Sequence, residues 1–145
     1  MKKIEIDTFL KFRFLSNPHF SPDGTKIAFT VSVPDRETNG YLSDLYLYDL
    51  GKKTVSRITC AGDAKIWSWT AENTLIFPAA RTASLKKEKE NGTSFFYEIS
   101  PSGGEASCRA SVPASVTGIR LLPDRRYLLT IRHDNYKDTR KKSYE

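Results

Sequence analysis

The 145-residue chain is 39% hydrophobic, 28% charged and 12% aromatic, a balance that suits one globular domain with a real core and favours strands. No apolar run nears the ~20 residues of a membrane helix, and no Cys-x-x-Cys or Cys/His spacing suggests zinc. The net charge is +6, but +4 of it falls in residues 125–145, so the charge reads as a solvated tail and not as a nucleic-acid surface.

The opening residues, 1–16, begin basic, but Glu5 and Asp7 interrupt them and leave no apolar signal-peptide core. The expected location is therefore cytoplasmic. Asp7 or Thr8 is placed to cap a short helix over Phe9 to Phe12. Asn17 to Phe20 reads as a short strand, and Ser21-Pro22-Asp23-Gly24 as a tight turn in which Pro fixes φ and Gly permits φ > 0. Lys26 to Val33 alternates, with Ile27, Phe29, Val31 and Val33 on one side and Ala28, Thr30 and Ser32 on the other. After a polar loop, Leu45 to Tyr48 reads as an inner strand and Lys53 to Thr59 as a more polar outer one.

The order then recurs. Lys65 to Trp69, Thr74 to Ala79, Ser94 to Ser100 and Glu105 to Ala110 read as four further strands, with a long charged loop over 80–92. Val116 to Leu121 and Tyr127 to Arg132 begin the series a third time. Trp69 and Leu122 fall 48 and 101 residues after Ser21, each opening a polar turn into a β-rich run. A repeat of roughly 50 residues with several short strands per unit points to a β-propeller or a related β-repeat. The expected fold is all-β: an incomplete β-propeller of four-stranded antiparallel blades, two blades plus part of a third. Residues 17–62 are assigned to blade 1, 63–112 to blade 2 and 113–133 to the partial blade, with 134–145 a charged, disordered tail.

The segments Leu15-Ser-Asn-Pro-His-Phe-Ser-Pro-Asp-Gly-Thr-Lys-Ile-Ala-Phe29 and Ser43-Asp-Leu-Tyr-Leu-Tyr-Asp-Leu50, supported by Val55 to Thr59 and Ser100 to Glu105, carry a resemblance. They resemble the propeller repeats of prolyl oligopeptidase family serine peptidases, in the bacterial acylaminoacyl-peptidase and dipeptidyl-aminopeptidase-like branch. The resemblance implies an N-terminal propeller that filters short peptides and packs on an α/β-hydrolase domain, in cis or in trans, which would supply Ser, Asp and His. No Gly-x-Ser-x-Gly elbow occurs in this sequence. The chain alone is therefore expected to be inactive, and no catalytic, cofactor-binding or metal-ligating residue is assigned. No cofactor, nucleic-acid or membrane partner is expected. The alternative is a stand-alone β-repeat interaction module similar to Tol-type propellers.

Several tempting residues have plainer readings. Ser21 reads as a turn residue, because a nucleophile needs a base and an oxyanion hole in reach. His19 and His133, the two histidines, show no triad spacing. Ser84-Leu-Lys-Lys87 matches Ser-x-x-Lys in form but lies in a charged run, so it reads as a solvated loop. Trp67 and Trp69 share one side of a strand and read as blade packing before channel lining. Asn91-Gly-Thr93 is a sequon in form only, and Ser102-Gly-Gly104 is a turn. Cys60 and Cys108 are expected to be free thiols.

Overall fold

The computed structural model describes residues 6–131. The expected tail, Arg132 and His133 lie outside the described residues. Two four-stranded antiparallel sheets and one hairpin follow in chain order. The first sheet is β1 (Phe14–Phe20), β2 (Lys26–Asp35), β3 (Gly40–Asp49) and β4 (Thr54–Arg57), adjacent in that order. The second is β5 (Ser68–Trp69), β6 (Leu75–Pro78), β7 (Ser94–Ile99) and β8 (Ser107–Val112), again in sequence order. The hairpin is β9 (Val116–Leu121) and β10 (Tyr127–Ile131). These are two propeller blades and part of a third.

The β2–β3 hairpin is the longest ladder, paired from Lys26↔Asp49 to Asp35↔Gly40. Register fixes which side chains share a side. It sends Ala28, Thr30, Leu45 and Leu47 toward the second blade, where they are buried. Those from Leu45 onward meet Trp67, Trp69, Leu75, Phe77, Tyr97 and Ile99 in one apolar cluster that also holds Ala28. The bulkier residues of β2, Ile27 and Phe29, take the opposite side and stay half-buried, with Phe29 stacked on Tyr46 at 6.0 Å. Small residues on one blade thus accept large aromatic ones from the next, the volume matching that close packing demands.

A carboxylate ties the connection between blades. Asp44 is 5% exposed and accepts from Arg57 at 2.6 Å, the Thr59 hydroxyl at 2.9 Å and the Gly62 N–H at 3.1 Å. Ser43 N–H meets the Gly62 carbonyl at 2.8 Å, and Ala64 N–H meets the Ser43 carbonyl at 2.9 Å. Gly62 has φ 75°, a backbone that favours glycine, and a Cβ there would lie 2.9 Å from Leu42 Cδ2, so a larger residue would strain the linker and push the Leu42 side chain aside.

Five elements differ from the sequence reading. The first strand starts at Phe14, not Asn17, and carries a bulge between Ser16 and His19 with Asn17 at φ 52°. The bulge removes Pro18, which has no N–H to donate, from the ladder. The expected helix over Phe9 to Phe12 is a 3-10 helix over Ile6–Lys11, with Phe9 packed on Phe14 (5.6 Å) and Tyr41 (6.5 Å). The expected loop over 80–92 contains helix α1 (Ala83–Glu90), whose N-cap Thr82 accepts the Leu85 N–H. Lys65 to Trp69 pairs only at Ser68–Trp69, and the outer strand of blade 2 runs two residues later than expected.

Candidate functional site

Three turns of one design organise the molecule. They run from Ser21 to Lys26, Thr70 to Thr74 and Leu122 to Arg126. In each, the first residue's N–H meets the last residue's carbonyl at 2.8 Å. Each places one residue in the left-handed region: Gly24 (φ 69°), Asn73 (φ 61°) and Arg125 (φ 66°). The equivalent of Ser21 is therefore Thr70, not Trp69; the first turn is one residue longer, which displaces a count made from the strand that follows.

Ser21 is a turn residue in the structure. It is 4% exposed, its hydroxyl donates to Asp23 at 2.6 Å and accepts the Lys26 N–H at 3.0 Å. Asp23 also accepts the Thr25 N–H at 3.0 Å and the Thr25 hydroxyl at 2.9 Å. These hydrogen bonds, the Ser21 hydroxyl first, hold the exposed Asp23 carboxyl down at about 2.

The first strands of the three units lie side by side. Trp69 Nε1 donates to the His19 carbonyl at 3.1 Å, and Ser68 Oγ accepts the Leu121 N–H at 3.1 Å. Between them opens a cleft of about 550 Å³. Its lining comes from equivalent places in all three units: two residues before each turn stand His19, Ser68 and Arg120, and one before stand Phe20, Trp69 and Leu121. Pro22, Leu122 and Leu128 complete its apolar wall. Trp67 and Trp69 are both buried in the interface between blades and both line the cleft. Trp67 Nε1 is held by the Thr30 hydroxyl at 2.9 Å.

The polar groups of the cleft differ in how far they are satisfied. His19 Nδ1 lies 3.2 Å from the Asn17 carbonyl, and its ring meets Trp67 edge-on at 5.6 Å. Ser68 Oγ donates to the Trp69 carbonyl at 3.0 Å. Arg120 is exposed and makes no hydrogen bond or ion pair among the described residues. No carboxylate is among the described lining residues. Ser21 does not line the cleft, so His19 and Ser21 are not brought together there. Arg120 went unremarked in the sequence because it has no motif; aligning the three turns first exposes it as the counterpart of His19 and Ser68.

The remaining residues singled out above have structural work. Ser84 shares a hydrogen bond with the capping Thr82 hydroxyl at 3.0 Å in the first turn of α1. Asn91 closes that helix through its N–H to the Lys87 carbonyl at 3.1 Å. Gly103 and Gly104 turn the chain at φ 86° and 106°. Cys60 and Cys108 are free and exposed. Among the described residues no group of three His, Cys, Asp or Glu could hold a metal ion, and no helix is long and apolar enough to cross a membrane. A second groove of about 560 Å³ lies between the blades, but its rim mixes Asp63 and Glu105 with Arg81 and Lys86, so no charge sign dominates it.

No model of a known protein family matches the chain. Over 128 residues it is 26% identical to a Bacillus subtilis protein named uncharacterized peptidase YuxL, spanning 86% of this chain and 18% of that one. It is thus homologous to a peptidase along most of its length. Its fold matches the acylaminoacyl peptidase of Pyrococcus horikoshii in an orthorhombic crystal form, with a TM-score of 0.65 and 18% identity over 91% of this chain and 19% of that one. It also matches the β-propeller domain of the trilobed protease of Pyrococcus furiosus, described as having an open velcro topology. There the TM-score is 0.58 and identity 16%, over 87% of this chain and 37% of that one. These structural likenesses establish the propeller fold. The chain spans less than a fifth of the length of the curated relative.

Proposed function

We propose that the chain is the opening part of the propeller of a prolyl oligopeptidase family serine peptidase. In this reading the propeller restricts which peptides reach an α/β-hydrolase domain, in the same polypeptide or in a partner, and packs against that domain. The observation that carries the reading is the sequence match to a peptidase over 128 residues, which falls on the propeller strands. The convergence of the three first strands on one cleft supports a role in passing peptides, since a propeller surrounds a central channel with the inner strands of its blades. In this reading the hydrolase domain supplies the nucleophile and base. Short peptides are the substrate class, and the compartment is the cytoplasm.

An epitope tag placed before Met1 at the native locus tests this. Capture from the source cells, followed by a fluorophosphonate probe, should give a labelled serine hydrolase in the tagged species or bound to it. Captured material with no probe-reactive hydrolase overturns the proposal and favours a stand-alone interaction module.

A further inference from the structure

The cleft is apolar over most of its wall, and among its described lining residues Arg120 is the one with a fixed charge, exposed, with no described partner and no carboxylate beside it in the lining. An exposed guanidinium beside an apolar surface is free to take a carboxylate, because its five donors match it in a two-point fork. Its neighbours cannot serve it. The Ser68 hydroxyl is committed to the Leu121 N–H and the Trp69 carbonyl, and His19 Nδ1 faces the Asn17 carbonyl.

We propose that this cleft binds the C-terminal end of a short peptide, with Arg120 taking the terminal carboxylate and an apolar last side chain resting against Trp69, Leu122 and Leu128. Charge and shape argue for this occupant together. A free carboxylate complements Arg120, and about 550 Å³ accommodates a residue or two beside it, within the usual range for small-ligand sites. A neutral apolar ligand would leave Arg120 as it stands, and a cationic one would meet like charge. The assignment names the chemistry of the peptide end in the reading above and rests on it. It is tested without any hydrolase, so its failure is distinguishable from failure of that reading.

The chain contains two tryptophans, and both line this cleft, so intrinsic fluorescence of the full 145-residue chain reports directly on occupancy. N-acetyl-Ala-Ala-Leu as the free acid should change the emission saturably. The same peptide as its C-terminal amide should bind about fivefold more weakly, the scale of one partly exposed charged contact. Arg120→Gln should abolish that preference by weakening the acid alone, and Arg120→Lys should restore part of it. Equal binding of acid and amide, a preference unchanged in Arg120→Gln, or no saturable change with the acid each overturns the proposal. Arg120 is exposed and unpaired, so its substitution should leave the unfolding midpoint unaltered. Should that midpoint fall, the acid and amide comparison on the unsubstituted chain decides alone.

Discussion

Asn73 Oδ1 accepts the backbone N–H of Asp23 at 3.0 Å, joining positions 50 residues apart. The next pair of turns repeats the relationship with different chemistry: Arg125, the counterpart of Asn73, reaches Glu72 at 2.8 Å. In the second and third turns the left-handed residue therefore grips the turn of the unit before it.

Asn73 has two tasks, the left-handed backbone and the grip on Asp23. Asn73→Ala should lower stability by about 1–2 kcal/mol, because alanine tolerates that conformation poorly and leaves the N–H unpaired. Asn73→Gly keeps the conformation and should cost less. Arg125→Ala removes only an exposed ion pair and should fall within about 0.5 kcal/mol of the parent. Denaturant melts of the three variants rank these effects.

Phe77 is 1% exposed at the centre of the blade interface. Phe77→Ala should cost about 3–5 kcal/mol. Ala28 lies in the same cluster from the other blade, so both blades should lose structure in one transition. Two separate calorimetric transitions in the parent would contradict a shared core.

Asp44 is the only carboxylate of the described residues that is buried. Asp44→Ala strands the Gly62 N–H and the Thr59 hydroxyl and frees Arg57. About 2 kcal/mol should be lost, less than for a fully buried pair because the Arg57 side chain is 49% exposed. Thermal unfolding checks this, and proteolysis should move to the 58–64 linker.

The Asp23 carboxyl is lowered from 3.8 to about 2, chiefly by the Ser21 hydroxyl. A depressed folded value means the unfolded chain binds the proton more readily. The contribution is present above pH 3.8 and is lost as pH falls through about 2. Asp35, Asp49 and Asp124 are lowered in the same direction by their own turn hydrogen bonds. Denaturant midpoints should therefore fall between about pH 4 and pH 2, and Asp23→Asn should flatten part of that fall.

Cys60 and Cys108 are free and exposed. A chromogenic disulfide reagent should titrate two thiols in the native protein without denaturant. Fewer than two would indicate pairing or burial.

The blade pattern was legible because period-two alternation and the Ser-Pro-Asp-Gly turn are local signals. Helix α1 was less so: Leu85 is its one partly buried apolar anchor among Lys and Glu residues, so no apolar stripe marks it, and only Thr82 three residues before Leu85 signals its start. The buried side of β2 was hidden for the opposite reason. Ile27 and Phe29 look like core residues, yet Ala28 and Thr30 fill the interface because Trp67, Phe77 and Tyr97 arrive from the neighbouring blade. Arg120 lies on a third strand whose meaning depends on two earlier ones, and such a site is visible only after the turns are superposed.

The grips between turns have a direction. Asn73 and Arg125 both belong to the later turn of their pair, and the residue each one holds has already been synthesised. On a ribosome, the anchoring point is therefore waiting before the hook emerges, so each new blade can dock on a finished neighbour instead of waiting for a distant end of the chain. Docking in that order would limit the time during which apolar blade faces stand open to aggregation.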